Sequence, residues 1–134
     1  MKFLIVTHTV HKHIDGELFA YEPYVREMNL WTKYVTEIRV VAPVLHEVPR
    51  SIDTTYASKR VQPIAISQIN FTSFFKAFQS LFKIPVILFK ITQQCFWADH
   101  IHLRCPGNIG LLGCFVQVFF PSKTKTVKYA GNWD

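Results

Sequence analysis

Five short apolar runs recur along the chain, and most are separated by segments with helical spacing. Phe3 to Val6 is continuously apolar, the pattern of a strand covered on both faces. Glu22-Pro23 then reads as a helix start, with proline in the first turn. Tyr24, Met28, Trp31 and Val35 follow as one helical stripe, and Glu22 and Arg26 stand four apart as an outer-face pair. Ile38 to Ala42 predicts a second strand, stopped by Pro43, and a polar connection follows to about residue 60. Val61 to Ile66 predicts a third strand, placed at an edge by Pro63. Asn70 or Thr72 is the expected cap of a helix striped by Phe74, Phe78 and Leu81, which Pro85 is expected to break in two. Ile101 to Leu103 predicts a fourth strand. A helix after Pro106-Gly107-Asn108 has Ile109, Leu112, Phe115, Val116 and Phe119 as its expected apolar face, and Thr126 to Ala130 predicts the fifth strand.

This order predicts an α/β domain, a single unit over residues 1–134, built as a doubly wound, Rossmann-like parallel sheet with helices on both faces. Composition agrees with a packed core: 49% hydrophobic and 15% aromatic residues exclude a disordered chain. The net charge of +6 favours polyanionic partners. The basic residues are scattered rather than run together, which argues against nucleic acid and leaves phosphorylated ligands or an anionic membrane surface. Cys95, Cys105 and Cys114 form no C-x-x-C pair and lie in apolar surroundings, so they read as small hydrophobes in a reducing compartment rather than as a disulfide framework or zinc site. The N-terminal apolar run is too short for a signal peptide, and no run reaches the length of a spanning helix, so a cytoplasmic location is expected.

Ligands of open parallel sheets bind beyond the carboxyl ends of the strands. Four polar loops are expected there. The first, His8 to Glu22, holds His8, His11, His13, Asp15 and Gly16; without a metal-ligand motif it reads as a loop ordering over a ligand, with Gly16 allowing close backbone approach. The second begins at Pro43. In the third, His102 and Arg104 point to one side of the strand, and Gly107-Asn108 opens a helix whose N-terminus suits an anion. Arg104 either grips a phosphate or carboxylate or pairs with an acidic residue of the protein, and Asn108 either touches ligand or caps the helix. The fourth ends in Gly131-Asn132-Trp133-Asp134, an aromatic face beside amide and carboxylate, as sugar sites are often built. No G-x-S-x-G elbow, P-loop or G-x-G-x-x-G fingerprint is present.

At these loops the sequence resembles the amino-terminal domain of GT-B glycosyltransferases of the family 4 type, involved in bacterial surface polysaccharide synthesis. The matching stretches are Lys2 to Thr9, His13-Ile14-Asp15-Gly16 through Tyr24-Val25-Arg26-Glu27, Asp99-His100-Ile101-His102-Leu103-Arg104-Cys105-Pro106-Gly107-Asn108, and Lys128-Tyr129-Ala130-Gly131-Asn132-Trp133. The resemblance implies an acceptor-side domain, with the nucleoside diphosphate sugar donor bound by a second domain and a glycan or lipid-linked acceptor bound here. It nominates His13, Asp15, Gly16, His102, Arg104, Asn108, Asn132 and Trp133 as substrate contacts, names no catalytic residue, and implies no cofactor or metal. Family members carry histidines on the fourth strand, one of them at its end; here His102 holds the earlier position and Arg104 the later. The family's E-x7-E motif and donor domain have no counterpart before Asp134, so the resemblance implies part of an enzyme, inactive alone. Lys33, Lys59, Arg60, Lys76, Lys83 and Lys90 would suit peripheral docking on an anionic inner leaflet. The competing expectation is a non-catalytic α/β module that binds a phosphorylated ligand or a partner protein.

Overall fold

A computed structural model describes residues 1–69, 71–105 and 107–129. The expected parallel strands form at β1 (Lys2–Val6), β4 (Glu37–Leu45), β6 (Val61–Ile66), β7 (His100–Cys105) and β8 (Thr124–Tyr129). They pair side by side in the order β6-β4-β1-β7-β8, all parallel. Pro63 lies on β6, which among the described residues pairs only with β4, so the missing amide falls on an edge strand.

Three further strands make the whole an eight-stranded mixed sheet. The segment expected to be a ligand loop is instead a hairpin, β2 (His11–Ile14) and β3 (Glu17–Tyr21), and β5 (Asp53–Thr55) pairs antiparallel with β3. The hairpin turns on Asp15 and Gly16, both at positive φ (52° and 78°), the backbone that a two-residue Asp-Gly turn requires. Pro43 does not stop β4. It sits at the junction where β4 leaves β6, at Pro43–Ile66, and takes up β2, at Val44–His11, so its missing amide interrupts neither ladder for long. Lys12 and Asp53 tie β2 to β5 through a buried 2.9 Å ion pair.

The two faces of the sheet carry separate cores. On one, α1 (Glu22–Thr32) packs Tyr24, Val25 and Met28 against Phe3, Ile5, Ile38 and Val40. The Glu22–Arg26 pair forms at 2.6 Å. On the other face, α2 (Phe74–Trp97) and α3 (Asn108–Gln117) cover Leu4, Val6, Val41, Ile101 and Leu103.

Both of these helices differ from expectation. α2 is one helix, capped by Ser73, whose side chain accepts from the Lys76 amide; Thr72 is not the cap, and Asn70 lies outside the described residues. Pro85 stays inside it because Pro85 and Leu81 are both exposed, leaving the freed Leu81 carbonyl open to water. Its buried stripe is Ser80, Ile87, Ile91, Gln94 and Cys95, whereas Phe74, Phe78 and Leu81 face outward. α3 buries Ile109, Gly110, Gly113 and Val116, and leaves Phe115 and the following Phe119 exposed. Two glycines on the inner stripe let the helix come close to β7 and β1, which turns the bulkier residues outward.

Candidate functional site

The carboxyl ends of the parallel strands converge on an open cleft of about 390 Å³ lined by His8, Val10, Pro43, Gln68, Ile69, Gly107, Asn108 and Ile109. His8 follows β1, Pro43 lies near the end of β4, Gln68 and Ile69 follow β6, and Gly107 precedes α3. Gly107 has φ 149°, and a Cβ there would lie 2.5 Å from His8 Nδ1. Glycine is therefore required both for its backbone and for the approach of the His8 ring. Asn108 is the first residue of α3 and exposed; Gly107 is the cap residue, without a side-chain cap bond, so Asn108 does not cap the helix.

Arg104 lies just behind this cleft, and it pairs with the protein itself. Its Nη1 donates to Glu27 Oε2 at 2.9 Å, and the guanidinium lies 4.9 Å from the centre of the Tyr24 ring. Lys128 approaches the other Glu27 oxygen at 3.9 Å. Of the two expectations for Arg104, the ion pair is the one formed. Its charge still reaches the cleft: packing against its neighbours lowers the His8 pKa from 6.5, and Arg104 lowers it further. Arg104→Gln is expected to move His8 back toward 6.5, readable as the midpoint of its ring-proton NMR titration; an unmoved midpoint would rule out the coupling.

The remaining expected contacts are distributed elsewhere. His102 is buried two residues short of the strand end that carries Arg104, its Nδ1 2.6 Å from the Thr126 hydroxyl and its ring packed on Phe3 and Trp31. Its Nε2 is buried without a hydrogen-bond partner. Burial drives the His102 pKa down to about 4, although Glu27 opposes the shift. The His13 ring lies tilted beside that of His46, and Asp15 and Gly16 line a separate cleft with residues 55–59. The hairpin therefore carries these three residues away from the His8–Gly107 cleft. Asn132 and Trp133 lie outside the described residues.

One polar chain was not expected from the sequence. His11 is fully buried, with Nδ1 2.8 Å from the Thr9 carbonyl and Nε2 2.6 Å from the Tyr56 hydroxyl, which lies 2.8 Å from that of Tyr24. A carbonyl only accepts, so Nδ1 carries the proton and Nε2 accepts from Tyr56. Burial lowers the His11 pKa to about 4, against the raising effect of the Thr9 carbonyl. His8, His11 and His13 thus diverge to three different partners. Among the described residues no group of three or more His, Cys, Asp or Glu is placed to hold a metal ion. Cys95 and Cys105 are buried, and the Cys105 thiol is pushed up to about 11 by burial and by the Cys114 sulfur 3.7 Å away.

The chain matches no protein-family model, no curated protein and no solved structure.

Proposed function

We propose that this chain is the amino-terminal, acceptor-side domain of a GT-B glycosyltransferase, its five parallel strands forming the doubly wound, Rossmann-like half of that fold. The observation that carries the reading is the cleft at the carboxyl ends of β1, β4 and β6, where His8 and Gly107 meet beside the start of α3. Ligands of open parallel sheets occupy this position. Three of its lining residues, His8, Gly107 and Asn108, fall in two of the stretches that resemble the family, Lys2 to Thr9 and Asp99 to Asn108.

In this reading the reaction is transfer of a hexose-like sugar from a nucleoside diphosphate sugar to a hydroxyl of a glycan or lipid-linked acceptor. A second domain binds the donor, and this chain alone does not turn over. The acceptor hydroxyl lies in the cleft, where His8, its pKa lowered by its surroundings, is the titratable side chain among the lining residues. Positioning two substrates across such a cleft supplies much of the rate enhancement. The rival module for phosphorylated ligands is weakened because Arg104, its best anion contact, is committed to Glu27.

The test is made on the protein translated from the complete reading frame. Labelled sugar is expected to pass from a nucleoside diphosphate sugar to a lipid extract, and His8→Ala, at an exposed position of the cleft, is expected to lower kcat at least tenfold with the thermal melt retained. Saturable micromolar binding of nucleoside diphosphate sugars to residues 1–134 alone, with no transfer from any donor, would replace this reading with the self-contained module.

A further inference from the structure

The outer face of α2 is apolar where a surface helix is normally polar. Phe78, Phe82, Phe89 and Phe96 fall on one stripe, each more than half exposed, with Phe75 and Val86 beside them. At 1.5 Å per residue, Phe75 to Phe96 extends roughly 30 Å along the surface. α3 lies in the same layer and adds exposed Leu111 and Phe115. Such a face exceeds the single apolar patch common on soluble proteins.

Charge identifies the occupant. Lys76, Lys83 and Lys90 recur at seven-residue spacing along one flank of the phenylalanine stripe. Neither α2 nor α3 contains a carboxylate, and between Thr54 and Trp133 nine lysines and arginines stand against Asp99 alone. Between α2 and the end of β6 lies an open groove of about 710 Å³, with Ser67, Lys83 and Lys90 on its walls and Phe82 and Val86 at its rim. Lys90 reaches the Ala65 carbonyl at 2.7 Å and Lys83 the Gln68 carbonyl at 3.4 Å, neutral acceptors that leave both charges uncompensated. Protein interfaces are depleted in lysine, whereas helices that lie in a membrane interface pair such a basic flank with an apolar face. No helix among the described residues is long and apolar enough to cross a membrane.

We infer that α2 lies flat on an anionic phospholipid surface, its phenylalanines among the acyl chains and Lys76, Lys83 and Lys90 on the headgroup phosphates. The six basic residues considered from sequence therefore do not form one surface. Arg60 bonds the Thr32 and Thr36 carbonyls at the end of α1, on the opposite layer from α2. The inference does not rest on the glycosyltransferase reading, and its test contains no sugar nucleotide.

The 134-residue chain is sedimented with vesicles of phosphatidylcholine, with or without phosphatidylglycerol, and also without vesicles. Binding is expected on the anionic vesicles and at least tenfold weaker on the neutral ones, since each lysine near an anionic surface contributes about fivefold. The triple variant K76Q/K83Q/K90Q should bind anionic vesicles at least tenfold more weakly. The double variant F82S/F89S, altered only at exposed positions, should lose binding by a similar factor while keeping its thermal melt. Absence of wild-type binding, or equal binding by wild type and both variants, would overturn the inference. So would a vesicle-free dimer that F82S/F89S converts to monomer with vesicle binding unchanged, which would assign the face to a second copy of the chain.

Discussion

Lowering the pH from 7 to 4.5 is expected to remove about 5 kcal/mol of folding stability, through two histidines that the fold holds neutral. His11 and His102 are both buried and both held near pKa 4, mainly because burial disfavours the imidazolium. In the unfolded chain each titrates near 6.5. Below that pH the unfolded state takes up protons that the folded state does not bind until about pH 4, so stability is complete above 6.5 and falls as pH drops toward 4. His8 and His100, also lowered by burial, add to the loss in the same direction. Domains commonly retain 5–15 kcal/mol in all, so a loss of this size places acid unfolding close to pH 4. Urea unfolding at pH 7 and 4.5 measures the difference. His11→Gln should lower stability at pH 7 by losing the Tyr56 bond, yet reduce the slope between pH 6.5 and 4 by about half. A free energy constant across that range would show that neither histidine is held neutral by the fold.

Gly110→Ala is expected to destabilise the protein by about 3 kcal/mol and lower Tm by about 10 °C. A Cβ at Gly110 would lie 2.3 Å from the Arg104 carbonyl oxygen and 3.2 Å from the Cys105 sulfur. The first obstacle is backbone at the end of a paired strand, so relief requires moving α3 away from β7. Alanine's helix propensity returns about 1 kcal/mol, which does not offset that displacement. Gly113→Ala serves as the comparison. Its Cβ would meet Leu103 Cδ2 at 2.8 Å, a methyl that a rotamer change can move, so a clearly smaller loss is expected. Thermal melts of both variants decide the matter, and equal melting temperatures would show that the Arg104 peptide yields easily. Because α3 begins at the His8–Gly107 cleft, Gly110→Ala should also move the His8 NMR signal, whereas Gly113→Ala should leave it close to its original position.

The five parallel strands and α1 were legible because their signals are local. Continuous apolar runs mark strands buried on both faces, and Tyr24 and Met28 turn inward as their helical spacing requires; Val35, expected on the same stripe, is buried beyond the end of α1 at Thr32. Pro63 marked an edge strand because a residue without an amide leaves a gap in any ladder. The hairpin was also written locally, in Ile14-Asp15-Gly16-Glu17, but its flanking residues alternate too weakly to identify strands. What made it a hairpin was pairing with the far end of β4 and with β5, contacts distant in sequence.

Sequence by itself determined the succession of the five parallel strands, the basic charge and the glycine at the start of α3, since each follows from residue type and spacing. The tertiary structure decided the rest. Apolar periodicity does not say which of two apolar faces a helix buries, and in α2 the choice went to Ile87, Ile91 and Cys95, leaving the phenylalanines outside. Nor does proximity in sequence place a charge. Glu27, far from Arg104 along the chain, reaches it at 2.9 Å because α1 crosses the face of β7, and that contact turns an expected ligand grip into an internal ion pair beside the cleft.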